Sequence, residues 1–261
     1  MDIPIYQVDA FTDRLFTGNP AAVCPLTTWL PDDTLQQVAR ENNLSETAFF
    51  VTGKDPMPLR WFTPTTEVDL CGHATLATAH VLITHLAHPH ARMRFATRSG
   101  ELEVTSSGES RYTLDFPTDR LSPMAADHPD ILPLGVQVVE AHRGKDDILV
   151  RVASQRDVER TAPDFRALTR AACRGVIVTA EGVDCDYVAR CFYPQTGVDE
   201  DPATGSSQTT LAPFWSNLLD KDTFRARQLS ARGGEFDVHL DGKRTHITGG
   251  AVSYLTGTIR I

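Results

Sequence analysis

The sequence predicts an α+β fold of two similar halves, each a curled β-sheet wrapped around one buried helix. The first sign is an internal repeat. Phe62, Pro64, Thr66, Val68 and Asp69 align with Phe192, Pro194, Thr196, Val198 and Asp199, and Thr75-Leu76-Ala77 with Thr210-Leu211-Ala212. The second is that each copy runs into a segment whose apolar residues cover almost the whole helical circumference. One holds Ala74, Leu76, Ala77, Ala79, Val81, Leu82, Ile83, Leu86 and Ala87; the other runs from Ser206 to Leu219. Such helices need cover on most sides. The third is that only short strand-like segments remain in each half to provide that cover.

The elements follow in order. Ile3, Tyr6, Val8 and Ala10 space like a half-buried strand, and after the Gly18-Asn19-Pro20 turn Ala21 to Cys24 reads as a second. Asp32 or Asp33 caps a helix with Leu35, Val38 and Ala39 on one face, stopped by Asn42-Asn43. Thr47–Val51 and Leu59–Thr63 are strands, and His73–Ala87 is the first apolar helix. Met93–Ala96, Leu102–Thr105 and Tyr112–Phe116 are strands parted by Gly100 and Gly108. Pro117–Pro133, rich in Pro and Asp, reads as a linker. Val136–Ala141, Ile148–Val152, Val176–Thr179 and Tyr187–Phe192 are strands, and Phe165–Ala172 is a short helix. Phe236–Leu240 and Thr245–Thr248 form a hairpin over Asp241-Gly242, and Val252–Ile261 is a last strand returning to the first half. The expected division is residues 1–120, completed by 250–261, and residues 121–249.

Composition narrows the function. Among 261 residues, 41% are hydrophobic and 23% charged, which is ordinary for a globular chain. A net charge of −9 leaves no basic surplus to displace counterions, which argues against nucleic acid as partner. No apolar run reaches membrane-spanning length, and the start of the chain has no secretory pattern. Five cysteines, an odd number, fit a reduced cytoplasmic setting.

The candidate chemistry lies where the two copies diverge. Glu46 is the only charge between Glu41 and Lys54 and enters the strand Thr47-Ala48-Phe49-Phe50. A carboxyl group in apolar surroundings suits general acid/base work near neutral pH; the plain alternative is a strand-end Glu in water. His73 follows Cys71-Gly72 at a helix start, where neutral imidazole is favoured; capping is its plain alternative. Cys71 is a nucleophile or base if acidified by the helix end, otherwise a small buried residue. The run Asp199-Glu200-Asp201 leads into Pro202-Ala203-Thr204-Gly205-Ser206, a turn whose exposed amides suit an anionic ligand. A zinc site from Cys71, His73, Cys185 and Cys191 has the residue types without the spacing. There is no dinucleotide fingerprint, Walker A motif or Gly-x-Ser-x-Gly elbow.

Taken in order, these motifs resemble one family. They are Asp9-Ala10-Phe11-Thr12 with Gly18 to Val23, Asn43-Leu44-Ser45-Glu46-Thr47, Arg60 to Thr75, Glu200 to Ser206 and Arg232-Gly233-Gly234. Over essentially its whole length the chain resembles the phenazine-biosynthesis isomerases, the PhzF-like proteins. The resemblance implies a diaminopimelate epimerase-like fold with the site between its halves, a homodimer and no cofactor. It implies a proton moved within a small carboxylic acid, such as a dihydro-hydroxyanthranilate. Glu46 matches the family's acid/base glutamate, His73 its histidine, and Asp201 and Ser206 its aspartate and serine. Asn19, Cys71, Gly72, Thr204 and Gly205 are the implied substrate contacts.

Related epimerases oppose two cysteines. Here Cys71 has no partner, since Thr204 stands in the second turn, so one carboxyl group shuttling the proton on one face fits better. The rivals are an epimerase using Cys71 with another base, and a non-catalytic protein that keeps the fold as an interaction module. If the repeat is real, the turns at Cys71-Gly72-His73 and Asp201–Ser206 are expected to share one cleft with Glu46.

Overall fold

A computed structural model describes residues 1–261, which divide into two compact units. The first comprises Met1–Asp115 with Thr248–Ile261, the second Phe116–Ile247.

In the first unit the strands are β1 (Asp2–Ala10), β2 (Asn19–Leu26), β3 (Glu46–Val51), β4 (Met57–Phe62), β5 (Glu67–Val68), β6 (Arg92–Thr97), β7 (Gly100–Gly108) and β8 (Arg111–Pro117). β1 pairs antiparallel with β2, β2 parallel with β3, β3 antiparallel with β4, β4 parallel with β6, and β6 antiparallel with β7. The helices are α1 (Asp32–Asn42) and α2 (Gly72–Thr84). Leu35, Val38 and Ala39 of α1 pack with Ala22, Cys24, Phe49 and Phe62 in one core. Asn43, left-handed at φ 49°, ends the helix by donating its N–H to the Ala39 carbonyl.

Helix α2 is buried from Gly72 to Leu82 and packs on β1, β2, β3 and β7. Its threonines tolerate burial because their hydroxyls bond back into the helix: Thr78 Oγ1 donates to the Ala74 carbonyl at 2.7 Å. His80, also buried, is held between the Tyr112 hydroxyl at 3.1 Å and Ser253 Oγ at 2.9 Å. The helix ends three residues before the sequence predicts, because Ala87 takes a left-handed turn at φ 49° and Pro89 follows.

The second unit holds β9 (Ser122–Met124), β10 (Glu140–Arg143), β11 (Asp147–Arg151), β12 (Gly175–Glu181), β13 (Tyr187–Tyr193), β14 (Val198–Asp201), β15 (Thr223–Gln228) and β16 (Gly234–Asp241). Gly242, at φ 56°, turns the chain into β17 (Arg244–Arg260), which ends in the first unit paired with β1. β10 to β16 repeat the pairing of β1 to β7. β10 runs antiparallel to β11, β11 parallel to β12, β12 antiparallel to β13, β13 parallel to β15, and β15 antiparallel to β16. The helices are α3 (Gln155–Arg160), α4 (Phe165–Leu168) and α5 (Gln208–Leu219). α5 is the counterpart of α2. Its Trp215 stacks on Tyr187 at 5.6 Å and donates its indole N–H to Thr179 Oγ1 at 3.1 Å.

Several expectations need correction. Pro117–Pro133 is no free linker: β9 lies inside it and pairs with β10, and Ile131 and Met124 join the second unit's core. Two apolar anchors suffice to fold a polar stretch down. The strand expected at Val136–Ala141 starts only at Glu140. The helix expected to reach Ala172 stops at Leu168, and α3 before it was not anticipated, although Ser154 caps it through the Asp157 N–H. The two closing strands are one, β17.

Candidate active site

Glu46 is the first residue of β3, opposite Ala21 of the neighbouring parallel strand. Two residues before Ala21, β2 begins at the buried Asn19. Gly18 sets it there: its φ is +67°, and a Cβ on it would lie 2.2 Å from the Ala10 carbonyl oxygen. His73, the second residue of α2, completes the group. The threonines before it shape the approach: Thr63 Oγ1 accepts from the N–H groups of Thr65 and Thr66 at 3.2 and 3.0 Å. The shared Phe-x-Pro-x-Thr motif is therefore a turn device in this copy.

His73 is 5% exposed, and each ring nitrogen faces a different neighbour. Nδ1 is 3.2 Å from Asn19 Nδ2 and 3.6 Å from Cys71 Sγ. Nε2 is 3.1 Å from Glu46 Oε2, yet the two are not aligned for a hydrogen bond, and both are buried without one. Because the Asn19 amide donates, Nδ1 accepts, which places the proton of a neutral ring on Nε2, towards Glu46. Burial opposes charging of His73, but its interactions with Cys71 and Glu46 outweigh that and raise its proton affinity well above that of a free imidazole. In either charge state Nε2, the ring nitrogen nearer Glu46, carries a hydrogen.

Cys71 stands at the N-cap of α2, buried, and gives the helix no side-chain cap. Burial pushes its thiol up to about 11, with Glu46 adding to the rise, so it is a thiol at neutral pH. Glu46, Cys71 and His73 do present donor atoms within 4.8 Å of one another. Holding an ion there would need the Cys71 thiolate, which burial and the neighbouring Glu46 both disfavour. Cys185 and Cys191, raised as further ligands, belong to the second unit.

In the second unit the turn after β14 is pinned from several sides. Thr204 Oγ1 donates to Asp201 Oδ2, and the Thr204 N–H donates to Gln228 Oε1 at 2.8 Å. Gln228 Nε2 donates to the Asp201 carbonyl at 2.6 Å. Ser207 Oγ donates to the Thr204 carbonyl and Ser230 Oγ to that of Pro202. The amides of Gln208 and Thr209 turn back to the carbonyls of Gly205 and Ser206, which places Gly205 and Ser206 just ahead of α5. Ser206 Oγ lies 3.5 Å from Arg174 Nη2.

The model of a family described as phenazine biosynthesis-like protein matches residues 8–257. The chain belongs to the phenazine biosynthesis-like family. A Pseudomonas aeruginosa protein named an uncharacterized isomerase is 50% identical to this family member over 262 residues, covering 100% of each. The crystal structure of a PhzF-family protein from Enterococcus faecalis has a TM-score of 0.93 at 41% identity, covering 100% of both chains. A hydroxyproline epimerase from Agrobacterium vitis matches at a TM-score of 0.63 and 15% identity, covering 99% of this chain and 91% of its own. The fold is therefore the α+β epimerase type. No helix is long and apolar enough to cross a membrane.

Within this phenazine biosynthesis-like chain, sequence reasoning missed Gln228 and Arg174. Gln228 is 1% exposed and holds the Asp201 turn, yet it ends a strand with nothing unusual beside it. Arg174 sits in Cys173-Arg174-Gly175, where only the glycine hinted at a close approach.

Proposed function

We propose that this protein is an isomerase that moves a proton within a small cyclic or unsaturated carboxylic acid. One observation carries the proposal. A carboxylate oxygen and an imidazole nitrogen, both buried, face each other at 3.1 Å without a hydrogen bond. Buried polar atoms are rarely left in that state unless a ligand or a reaction uses them. The names and folds of its relatives support the same reading.

In this reading Glu46, as the carboxylate, takes a proton from a carbon beside the conjugated system. The C–H electron pair enters that system, and negative charge gathers on its oxygens. Glu46 then returns the proton to another carbon on the same face, and the electron pair settles as a shifted double bond. Nothing is gained or lost, so no cofactor is needed. His73 Nε2–H steadies the Glu46 charge and polar substituents of the substrate. Asp201 holds a further polar substituent, and Ser206 with the backbone amides near Gly72 and Gly205 takes the carboxylate; these roles rest on the family motif. A homodimer in the cytoplasm belongs to the same proposal.

Epimerisation through Cys71 is the weaker reading, because a thiol pushed up to about 11 is a poor base at neutral pH. The test is NMR of candidate cyclic and unsaturated acids incubated with the protein in D2O. Deuterium entering a ring or allylic carbon with double-bond migration is expected. Deuterium entering only at a stereocentre whose configuration inverts would favour the epimerase.

A further inference from the structure

The second unit holds a cationic side chain that the proposed chemistry has not used. Arg174 precedes β12 and its guanidinium is spent on one side only. Nε donates to Asp147 Oδ1 at 2.9 Å and Nη2 to Asp147 Oδ2, while Asp147 itself is 2% exposed. Burial raises the Asp147 carboxyl above its ordinary range, and Arg174 opposes that rise. Arg174 Cζ lies over the Tyr193 ring, 5.4 Å from its centroid. Gly175 makes that packing possible, since a Cβ there would be 2.1 Å from Tyr193 Cδ1. The guanidinium is thus fixed in orientation, with its side chain one-third exposed.

What it faces is Ser206. Nη2 and Ser206 Oγ stand 3.5 Å apart, too far for a firm hydrogen bond and well placed to serve the oxygens of one bound anion. Tyr193 Oη, in the same cluster, is buried with no partner of its own. Burial keeps its hydroxyl protonated far into the alkaline range, so it stays a donor. A planar fork beside a hydroxyl offers donors to one acceptor, and a carboxylate matches the fork in shape and charge.

We propose that Arg174, acting with Ser206, binds the substrate's carboxylate and makes the site selective for acids over neutral analogues. This rests on the isomerase reading for the identity of the ligand. Asp147 is a positioning residue: it fixes two N–H groups of the fork and leaves the others for the ligand. Lysine at 174 would keep the charge beside Asp147 and lose the second prong.

Calorimetry with benzoate and with its neutral isostere benzamide tests this on the full chain. The wild type is expected to bind benzoate at least about tenfold more tightly than benzamide. Both R174K and S206A should lose most of that preference while unfolding at an unchanged temperature; R174Q should lose it too, with Asp147 left unpaired. E46Q should keep it, because the carboxylate site does not include the proton carrier. Equal binding of the two probes by the wild type, or an undiminished preference in folded R174K and S206A, overturns the proposal. Absence of double-bond migration in every acid tried with the wild type in D2O would overturn the isomerase reading instead, and leaves the binding result to be judged by itself.

Discussion

Gly175 holds in the second unit the register position that Glu46 holds in the first. Glu46 opens β3 opposite Ala21, and Gly175 opens β12 opposite Asp147. One residue further on, Thr47 pairs with Phe62 and Val176 with Phe192, the two phenylalanines that head the repeated motif. The duplication therefore reaches the residue on which the proposed chemistry depends, and there the copies part. The first carries a carboxyl group beside His73. The second carries no side chain, and the Tyr193 ring occupies the room. In the proposed chemistry that asymmetry leaves Glu46 as the single proton carrier.

Asn19 is expected to act through His73 and not on the substrate alone. Its amide donor makes Nδ1 the acceptor whenever the ring is neutral, which favours that form. N19A should lower kcat about tenfold and shift the pH profile of the reaction, because the imidazole loses the bond that sets its tautomer. Steady-state rates from pH 5 to 9 check this. An unshifted profile with only KM raised would make Asn19 a plain substrate contact.

How much of this was legible in the chain depends on distance along it. The Glu46, His73 and Asp201 motifs are contiguous runs with turn and cap residues at fixed offsets, and the repeat announced both buried helices. The bond from Asn19 to His73 spans 54 residues, and that from Thr204 to Gln228 spans 24. No local pattern records such pairs. The folding down of Pro117–Pro133 was hidden for a related reason: polar composition dominated, and Ile131 and Met124 found their partners only in the assembled core.

Cys71 should prove inert. With its thiol held near 11, about one molecule in a thousand is thiolate at pH 8. Iodoacetamide should label it only over hours in the native protein, and C71S should keep proton exchange within about tenfold of wild type. Rapid alkylation that abolishes activity would restore the epimerase chemistry.

His80 sets an acid limit on stability. Burial, helped by His85, lowers it to about 4, so the folded protein binds fewer protons than the unfolded chain between about 4 and 6.5. Its contribution is complete above pH 6.5 and is lost as pH falls through the folded value, amounting to about 3 kcal/mol. Urea unfolding at pH 7 and pH 4.5 should show the loss, and H80Q should flatten it. A parallel decline in H80Q would place the acid sensitivity elsewhere.

Elemental analysis of the purified protein should find no stoichiometric zinc, because burial and Glu46 both disfavour the Cys71 thiolate that binding would need. One zinc per chain, removed by a chelator together with activity, would replace the acid/base role of His73 with a ligand role.

Exchange by the E46Q variant decides whether Glu46 carries the proton. Wild type and E46Q are incubated in D2O with an acid the wild type isomerises, and deuterium at carbon is followed by NMR. E46Q should unfold at nearly the wild-type temperature, since Glu46 makes no aligned hydrogen bond with His73. Its exchange rate should fall by at least about 10²-fold, as expected for loss of a general acid/base. Exchange at the wild-type rate in E46Q would contradict the account.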